Sequence, residues 1–362
     1  MLKKKLRRGW TTGACATAAS KAAYIGLLTG ICPDKITITL PNGQSPTFTI
    51  AYQDVNHQSV SAGIIKDAGD DPDVTNGILI ISKVETCHEN NGVKFFAGNG
   101  VGTVTLPGLP LDVGEPAINP GPRKMIIDTL QEVAIQNSVK LEVNITIEVP
   151  EGYEIAKKTW NTRLGIQNGI SILGTTGIVI PFSCAAWIHS IHRGVDVAKK
   201  TNLLHIAACT GSISEKVTQN YFELPDQAMI DMGDFVGGLL KYLKKNTVPR
   251  ITIAGGFAKL VKLSQGSMDL HSSRSQVDLL SLIEHIKELK IDGEKFKDIK
   301  RITTANQCLE ILGDIKYDLS LNIAKMAQDQ ILNMLKQTQI GIDVMIIDRK
   351  EEILAQTDIR YA

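Results

Sequence analysis

Acidic residues are missing from the first 33 positions, and the first of them is Asp34. Aromatic residues make up only 5% of the 362-residue chain. No run approaches the roughly 18 apolar residues of a membrane span. The six cysteines, at 15, 32, 87, 184, 209 and 308, form no Cys-x-x-Cys pair. That pattern excludes a disulfide framework or zinc ribbon and fits reduced thiols in a cytoplasmic protein. There is no basic excess, because the formal net charge is +1. A nucleic-acid partner is therefore not expected, nor is a membrane. Gly-x-Ser-x-Gly, His-Glu-x-x-His and P-loop signatures are all absent. Residues 3–8 hold five Lys or Arg, as a leader peptide would. The stretch that follows is Thr/Ala-rich and interrupted by Lys21, so no leader is expected.

What is present divides in two. In the first part, Thr11 or Thr12 caps a helix over about Gly13–Leu28 that ends at Gly30. Alternation predicts strands near 36–40, 58–66, 78–85 and 93–96. A helix fits 123–137, and the cleanest strand is 141–149, with Leu, Val and Ile at every second position. Residues 1–160 are expected to form an α+β domain. From 161 to 362 the texture changes. Three apolar strands, ending at "AACTGS", "MIDMGD" and "TIAGGF", each meet a glycine turn and then a helix. This predicts an α/β domain with a largely parallel sheet. Helices fit 276–289 and 318–336, and a last strand fits 342–347.

Four stretches could carry chemistry. "LRRGWTTGACATAASKAA" (6–23) places Arg7, Arg8 and Gly13 at a helix start, where free N–H groups and the dipole hold anions. A capped helix behind a solvated basic arm is the alternative. "GNGVGTVTLPGLPLDVGEPAINPGPRKMI" (98–126) holds five of the 13 prolines within 107–122. It reads as a stiff binding wall or an interdomain clasp. Its Gly-x-Gly-x-Gly opening does not run into a helix, so the dinucleotide fingerprint fails. In "KKTWNTRLGIQNGISILGTTGIVIP" (157–181), Gly174–Gly177 reads as a hairpin turn near Lys157, Lys158 and Arg163. "SQGSMDLHSSRSQ" (264–276) crowds Asp269, His271 and Arg274 into one polar loop. His189 and His192 lie one helical turn apart but lack a third ligand at recognisable spacing, so they read as packing or surface groups.

Together these stretches resemble the CbiD family, the cobalt-precorrin-5B C1-methyltransferases of cobalamin (vitamin B12) biosynthesis. The carriers are "RRGWTTGACATAASKAA", "GVGTVTLPGLPLDVGEPAINPGPRKMI", "NTRLGIQNGISILGTTGIVIPFSCAAWIHSIHRGVD" and "GSMDLHSSRSQVD". They run in order to about residue 278. The resemblance implies a methyltransferase that moves a methyl group from S-adenosylmethionine to C1 of a cobalt-containing tetrapyrrole, giving cobalt-precorrin-6A. It also implies a fold unlike the pathway's other methyltransferases, in keeping with the missing Asp/Glu-x-Gly-x-Gly-x-Gly loop. Cobalt arrives with the substrate, and no protein metal site is expected.

The substrate's acetate and propionate groups call for dispersed cations and helix starts. Arg8 with Thr11, Thr12 and Gly13, together with Arg123, Lys158, Arg163 and Arg274, form the candidate substrate set. The crest of strand ends, Thr210, Gly211, Ser212, Asp231, Gly233, Gly255 and Gly256, is the candidate S-adenosylmethionine site. Asp231 and His271 are the candidates for a catalytic role. Transient channelling with other pathway enzymes is the expected protein partnership. A non-catalytic corrinoid carrier and a small-molecule kinase stay open as alternatives.

Overall fold

A computed structural model describes residues 6–87, 92–289 and 291–362. It divides into two compact units, 1–184 and 185–362.

The first unit is built on helix α1 (Thr12–Thr29), which starts at the cap Thr11 and stops at Gly30 in the left-handed region. Its Ala14, Ala16, Ala18, Ala19, Ala22 and Ala23 are all fully buried. A helix with so little bulk has neighbours on most of its circumference, because nothing longer than a methyl group holds them off. Those neighbours include strands β2 (Ser59–Ile65) and β3 (Leu79–Thr86) and helix α2 (Pro120–Gln136). Ser20 on α1 meets Ser82 on β3 hydroxyl to hydroxyl at 2.8 Å, so this buried polar pair satisfies itself.

With β1 (Tyr52–Val55), β4 (Val93–Ala97) and β5 (Val143–Glu148), these strands form a sheet in the order β1-β2-β3-β5-β4. All its pairs are antiparallel except β4 with β5. Along β5, Val143, Ile145 and Ile147 are buried while the residues between them are half-buried, the predicted alternation. Residues 35–37 and 47–49 pair as a small antiparallel hairpin.

The boundary expected after 160 falls instead after 184, because residues 161–179 are stitched into the first unit. Ile166–Gln167 pairs with Thr103–Val104, and Ile178–Val179 pairs with Gly9–Trp10. Ile170 and Ile172 bridge to Val101 and Ile118. The hairpin expected around Gly174–Gly177 is therefore not a hairpin. Its two arms find partners far away in sequence, which local turn chemistry does not reveal.

The second unit runs α3 (Cys184–Lys200), β6 (Ile206–Cys209), α4 (Ser212–Phe222), β7 (Met229–Asp231), α5 (Val236–Leu243), β8 (Arg250–Gly256) and α6 (Phe257–Ser264). After α7 (Leu279–Lys287), α8 (Gly293–Ile299), α9 (Ala305–Leu312) and α10 (Lys316–Met334), it returns as β9 (Gly341–Ile347). β7, β6, β8 and β9 are parallel and lie in that order. The strand expected to be the last is followed by two more, β10 (Ile353–Gln356) and β11 (Arg360–Tyr361), both antiparallel to β9.

Alternate residues of each strand serve opposite layers. Ile206, Ala208, Ile251, Ile253, Ile342, Val344 and Ile346 join the large core with α3, α5, α6 and α10. Ala207, Cys209, Ala254, Met345 and Ile347 face Val217 and Phe222 of α4. Helices thus cover both faces, which is why these strands read as nearly unbroken apolar runs. No helix among the described residues is long and apolar enough to cross a membrane.

Candidate functional site

The strand order fixes where a ligand pocket is to be sought in the second unit. From β6 the chain passes outward to β7, then crosses back to β8 on the other side of β6. The helix after β6 covers one face and the helix after β8 covers the other. That reversal is a topological switch point, and the crevice at such a point lies at the carboxyl ends of the strands.

Here the crest consists of Thr210-Gly211, Asp231-Met232-Gly233 and Gly255-Gly256. The backbone N–H groups of Met232 and Gly233 donate to Cys209 O at 3.0 and 3.1 Å, and Thr210 N–H donates to Ala254 O at 3.0 Å. The three turns therefore sit side by side. Gly233 has φ +56°, which a side chain resists.

The two glycines ending β8 do different work. A β-carbon on Gly255 would lie 2.5 Å from Leu260 Cδ2 and 2.6 Å from Thr210 Oγ1, so Gly255 is a packing requirement. A β-carbon on Gly256 would meet nothing closer than Ile347 O at 4.0 Å, and one on Gly211 nothing within 4 Å. Gly211 and Ser212 are exposed. The open positions on the crest are thus Gly211 and Gly256.

Three groups at this crest were not singled out in the sequence. Lys259, in the first turn of α6, donates to Thr210 O at 2.8 Å and forms an ion pair with Asp234 at 3.1 Å. Trp187 donates its indole N–H to Asp231 O at 3.1 Å, and its ring lies against Gly233. The position of Lys259, three residues after a strand-ending glycine, was a legible signal. Trp187, 44 residues from Asp231 in sequence, offered none.

The polar loop 264–276 comes to the same place. Leu270 N–H donates to Asp234 O, and Gly237 N–H to Met268 O, both at 2.9 Å. Arg274 pairs with Asp269 at 2.5 Å, and its guanidinium lies 5.7 Å from the centre of the Phe235 ring. Burial works to raise the Asp269 pKa, but the Arg274 hydrogen bond, the His271 N–H and neighbouring positive charge hold it below its ordinary value. His271 Nδ1 accepts from Ser273 N–H at 3.1 Å and lies 2.8 Å from the Ser273 hydroxyl. Accepting at Nδ1 puts the proton of a neutral ring on Nε2. Asp231, Gly233, His271 and Arg274, scattered in sequence, are thereby gathered around one turn. His192 stacks on Tyr242 with ring centres 3.9 Å apart, a packing role.

In the first unit, the expected anion cradle at the start of α1 is closed by the chain itself. Gly13 N–H donates to Leu173 O at 2.9 Å, and Ala14 N–H donates to Thr11 Oγ1 at 3.1 Å. Thr11 N–H donates to Gly177 O at 3.0 Å. Thr12 Oγ1 bonds both the N–H and the carbonyl of Leu173. The capped-helix alternative describes these residues.

Arg7 forms a two-pronged pair with Asp67 at 2.5 and 2.8 Å, and that hydrogen bond lowers the Asp67 pKa. Arg8 is exposed, and neither it nor Lys158, also exposed, has a side-chain partner among the described residues. Arg163 is half-buried.

The proline-rich loop walls an open cavity of about 750 Å³ with Leu109, Leu111, Pro120 and Ile127. Its cations are already neutralised. Arg123 pairs with Glu115 and Lys124 with Asp128, each at 2.7 Å. Arg123 also donates to Ile118 O and Pro116 O. An incoming carboxylate would have to displace these partners, so Arg123 acts first as the clasp of its own loop.

The CbiD family model matches residues 1–181, and the model of the CbiD C-terminal domain matches residues 269–358. The chain belongs to the CbiD family. A cobalt-precorrin-5B C(1)-methyltransferase of Brucella anthropi is 52% identical to this CbiD chain, covering 98% of it and 96% of the relative. An enzyme of the same name from Paramagnetospirillum magneticum is 49% identical, covering 96% and 97%. A crystal structure of a cobalamin biosynthesis protein (cbiD) from Archaeoglobus fulgidus is 28% identical, with a TM-score of 0.40, covering 74% of this chain and 83% of that one.

Proposed function

We propose that the protein methylates cobalt-precorrin-5B at C1, using S-adenosylmethionine, to give cobalt-precorrin-6A in cobalamin biosynthesis. The carrying observation is half identity to enzymes of that name over nearly the full length of both chains. Such coverage includes the open crest as well as the N-terminal unit.

The crest suits the methyl donor. Gly211 and Gly256 leave room at the backbone, and Thr210 and Asp231 flank it. S-adenosylmethionine bound there supplies an electrophilic methyl group on a sulfonium. The chain's own task is alignment, since a direct displacement demands a nucleophilic carbon in line with that methyl. Asp231 and His271 hold hydrogen-bonding groups near the reacting carbon. Arg8 and Lys158, with Arg163, are the first unit's cations offered to the substrate's carboxylates, while Thr11, Thr12 and Gly13 fix the segment that presents Arg8. Six free cysteines, five of them buried, agree with a cytoplasmic setting.

The test is incubation of the purified protein with cobalt-precorrin-5B and methyl-labelled S-adenosylmethionine. One labelled methyl at C1 is the expected product. Tetrapyrrole binding without label would favour the carrier reading. Phosphate transfer from ATP would favour a kinase, a reading that loses its motive because the Gly13 N–H is already bonded.

A further inference from the structure

We propose that the Asp234–Lys259 ion pair on the crest reads the zwitterionic α-amino-acid end of the methyl donor, Asp234 accepting from its ammonium and Lys259 donating to its carboxylate. The inference rests on the S-adenosylmethionine reading above and names the residues that select that molecule.

The pair stands where the strand ends converge. Asp234 follows the turn after β7, Lys259 lies in the first turn after β8, and the carbonyl of Thr210 that Lys259 holds ends β6. A lysine ammonium has three donors. One goes to Thr210 O at 2.8 Å. The contact with Asp234 Oδ1, at 3.1 Å, is an ion pair outside hydrogen-bond geometry. Asp234 makes no side-chain hydrogen bond among the described residues.

Neither charge is therefore saturated by the other, and the Lys259 side chain remains 35% exposed. A pair serving only as a clasp would close into hydrogen bonds, as Arg274 and Asp269 do.

The charges also decide what the site accepts. A lone lysine would welcome any anion. With a carboxylate 3.1 Å from the ammonium, a phosphate or simple carboxylate meets repulsion along with attraction. A zwitterion set with its ammonium toward Asp234 and its carboxylate toward Lys259 meets attraction at both ends, and its binding leaves the net charge of the site unchanged.

The experiment is calorimetry with two probes, S-adenosylhomocysteine, which keeps the amino-acid end, and 5′-methylthioadenosine, which lacks it. Lys259→Met and Asp234→Asn should each weaken S-adenosylhomocysteine about ten- to a hundredfold, the scale of a charge-assisted hydrogen bond. Both should leave methylthioadenosine unchanged, and Lys259→Arg should retain most of the affinity. Circular dichroism checks that each variant is folded. Equal weakening of both probes, or no weakening of either, overturns the proposal. If Gly256→Val abolishes S-adenosylhomocysteine binding while Lys259→Met and Asp234→Asn keep it, the crest reading stands and the ion-pair inference falls. Wild-type protein that binds no S-adenosylhomocysteine overturns both.

Discussion

The start of α1 and the starts of α4 and α6 carry the same sequence signal, glycine and small residues at the head of a helix, yet the fold uses them oppositely. At α1 the Gly13 N–H is taken by Leu173 O, and Pro122 Cγ lies 2.7 Å from where a Gly13 β-carbon would be. At α4 and α6 the glycines Gly211 and Gly256 face open space. The lesson is that a glycine helix start does not by itself report whether the backbone there is open or covered. At α1 that is decided by residues more than a hundred positions away, Pro122 and Leu173.

The comparison is best broken at its closed end. Gly174 has φ +121°, and a β-carbon there would fall 2.3 Å from Thr11 Cβ. Gly174→Val adds backbone strain to overpacking and should destabilise the first unit by about 2–5 kcal/mol. A lowered denaturant midpoint reads this out, and an unchanged midpoint would mean that the plug is loose. At the open end the outcome inverts. Gly256→Val should keep the unfolding free energy within about 0.5 kcal/mol of wild type. It should nonetheless abolish S-adenosylhomocysteine binding in calorimetry, and normal binding would remove the crest as the cofactor site. The smallest effect is expected from Thr11→Ala, which deletes the cap to Ala14 N–H. It should cost about 1 kcal/mol of stability and leave S-adenosylhomocysteine affinity untouched. A loss of affinity there would reopen the α1 start as a ligand site.

Much of the scaffold was legible because its signals are local. The alternation in 143–148, the Thr11 and Gly30 ends of α1 and the three strand–glycine–helix units all follow from short-range periodicity and turn chemistry. Segments whose pairing is entirely non-local were not legible. Residues 170–179 read as a hairpin, because two apolar runs flank a glycine turn, but their partners are Val101, Ile118 and residues 9–10. Strands β10 and β11 escaped because they are short edge segments held by β9.

The candidate site divides in the same way. The glycines of the crest and the polar loop stood out by composition, whereas Asp234, Lys259 and Trp187 matter only through their neighbours. Arg123 and Arg274 looked like free cations in the sequence, and only the folded chain brings Glu115 and Asp269 against them.

The sequence by itself determined helix α1, strand β5, the parallel sheet of the second half and the family to which the chain belongs, because periodicity and motif are properties of neighbouring residues. Tertiary structure alone decided which helix starts are open, which cations are already paired and where the first unit ends. The helix starts and the unit boundary are settled by hydrogen bonds from distant segments, and the cation pairs by loop geometry that brings near neighbours, Glu115 to Arg123 and Asp269 to Arg274, into contact.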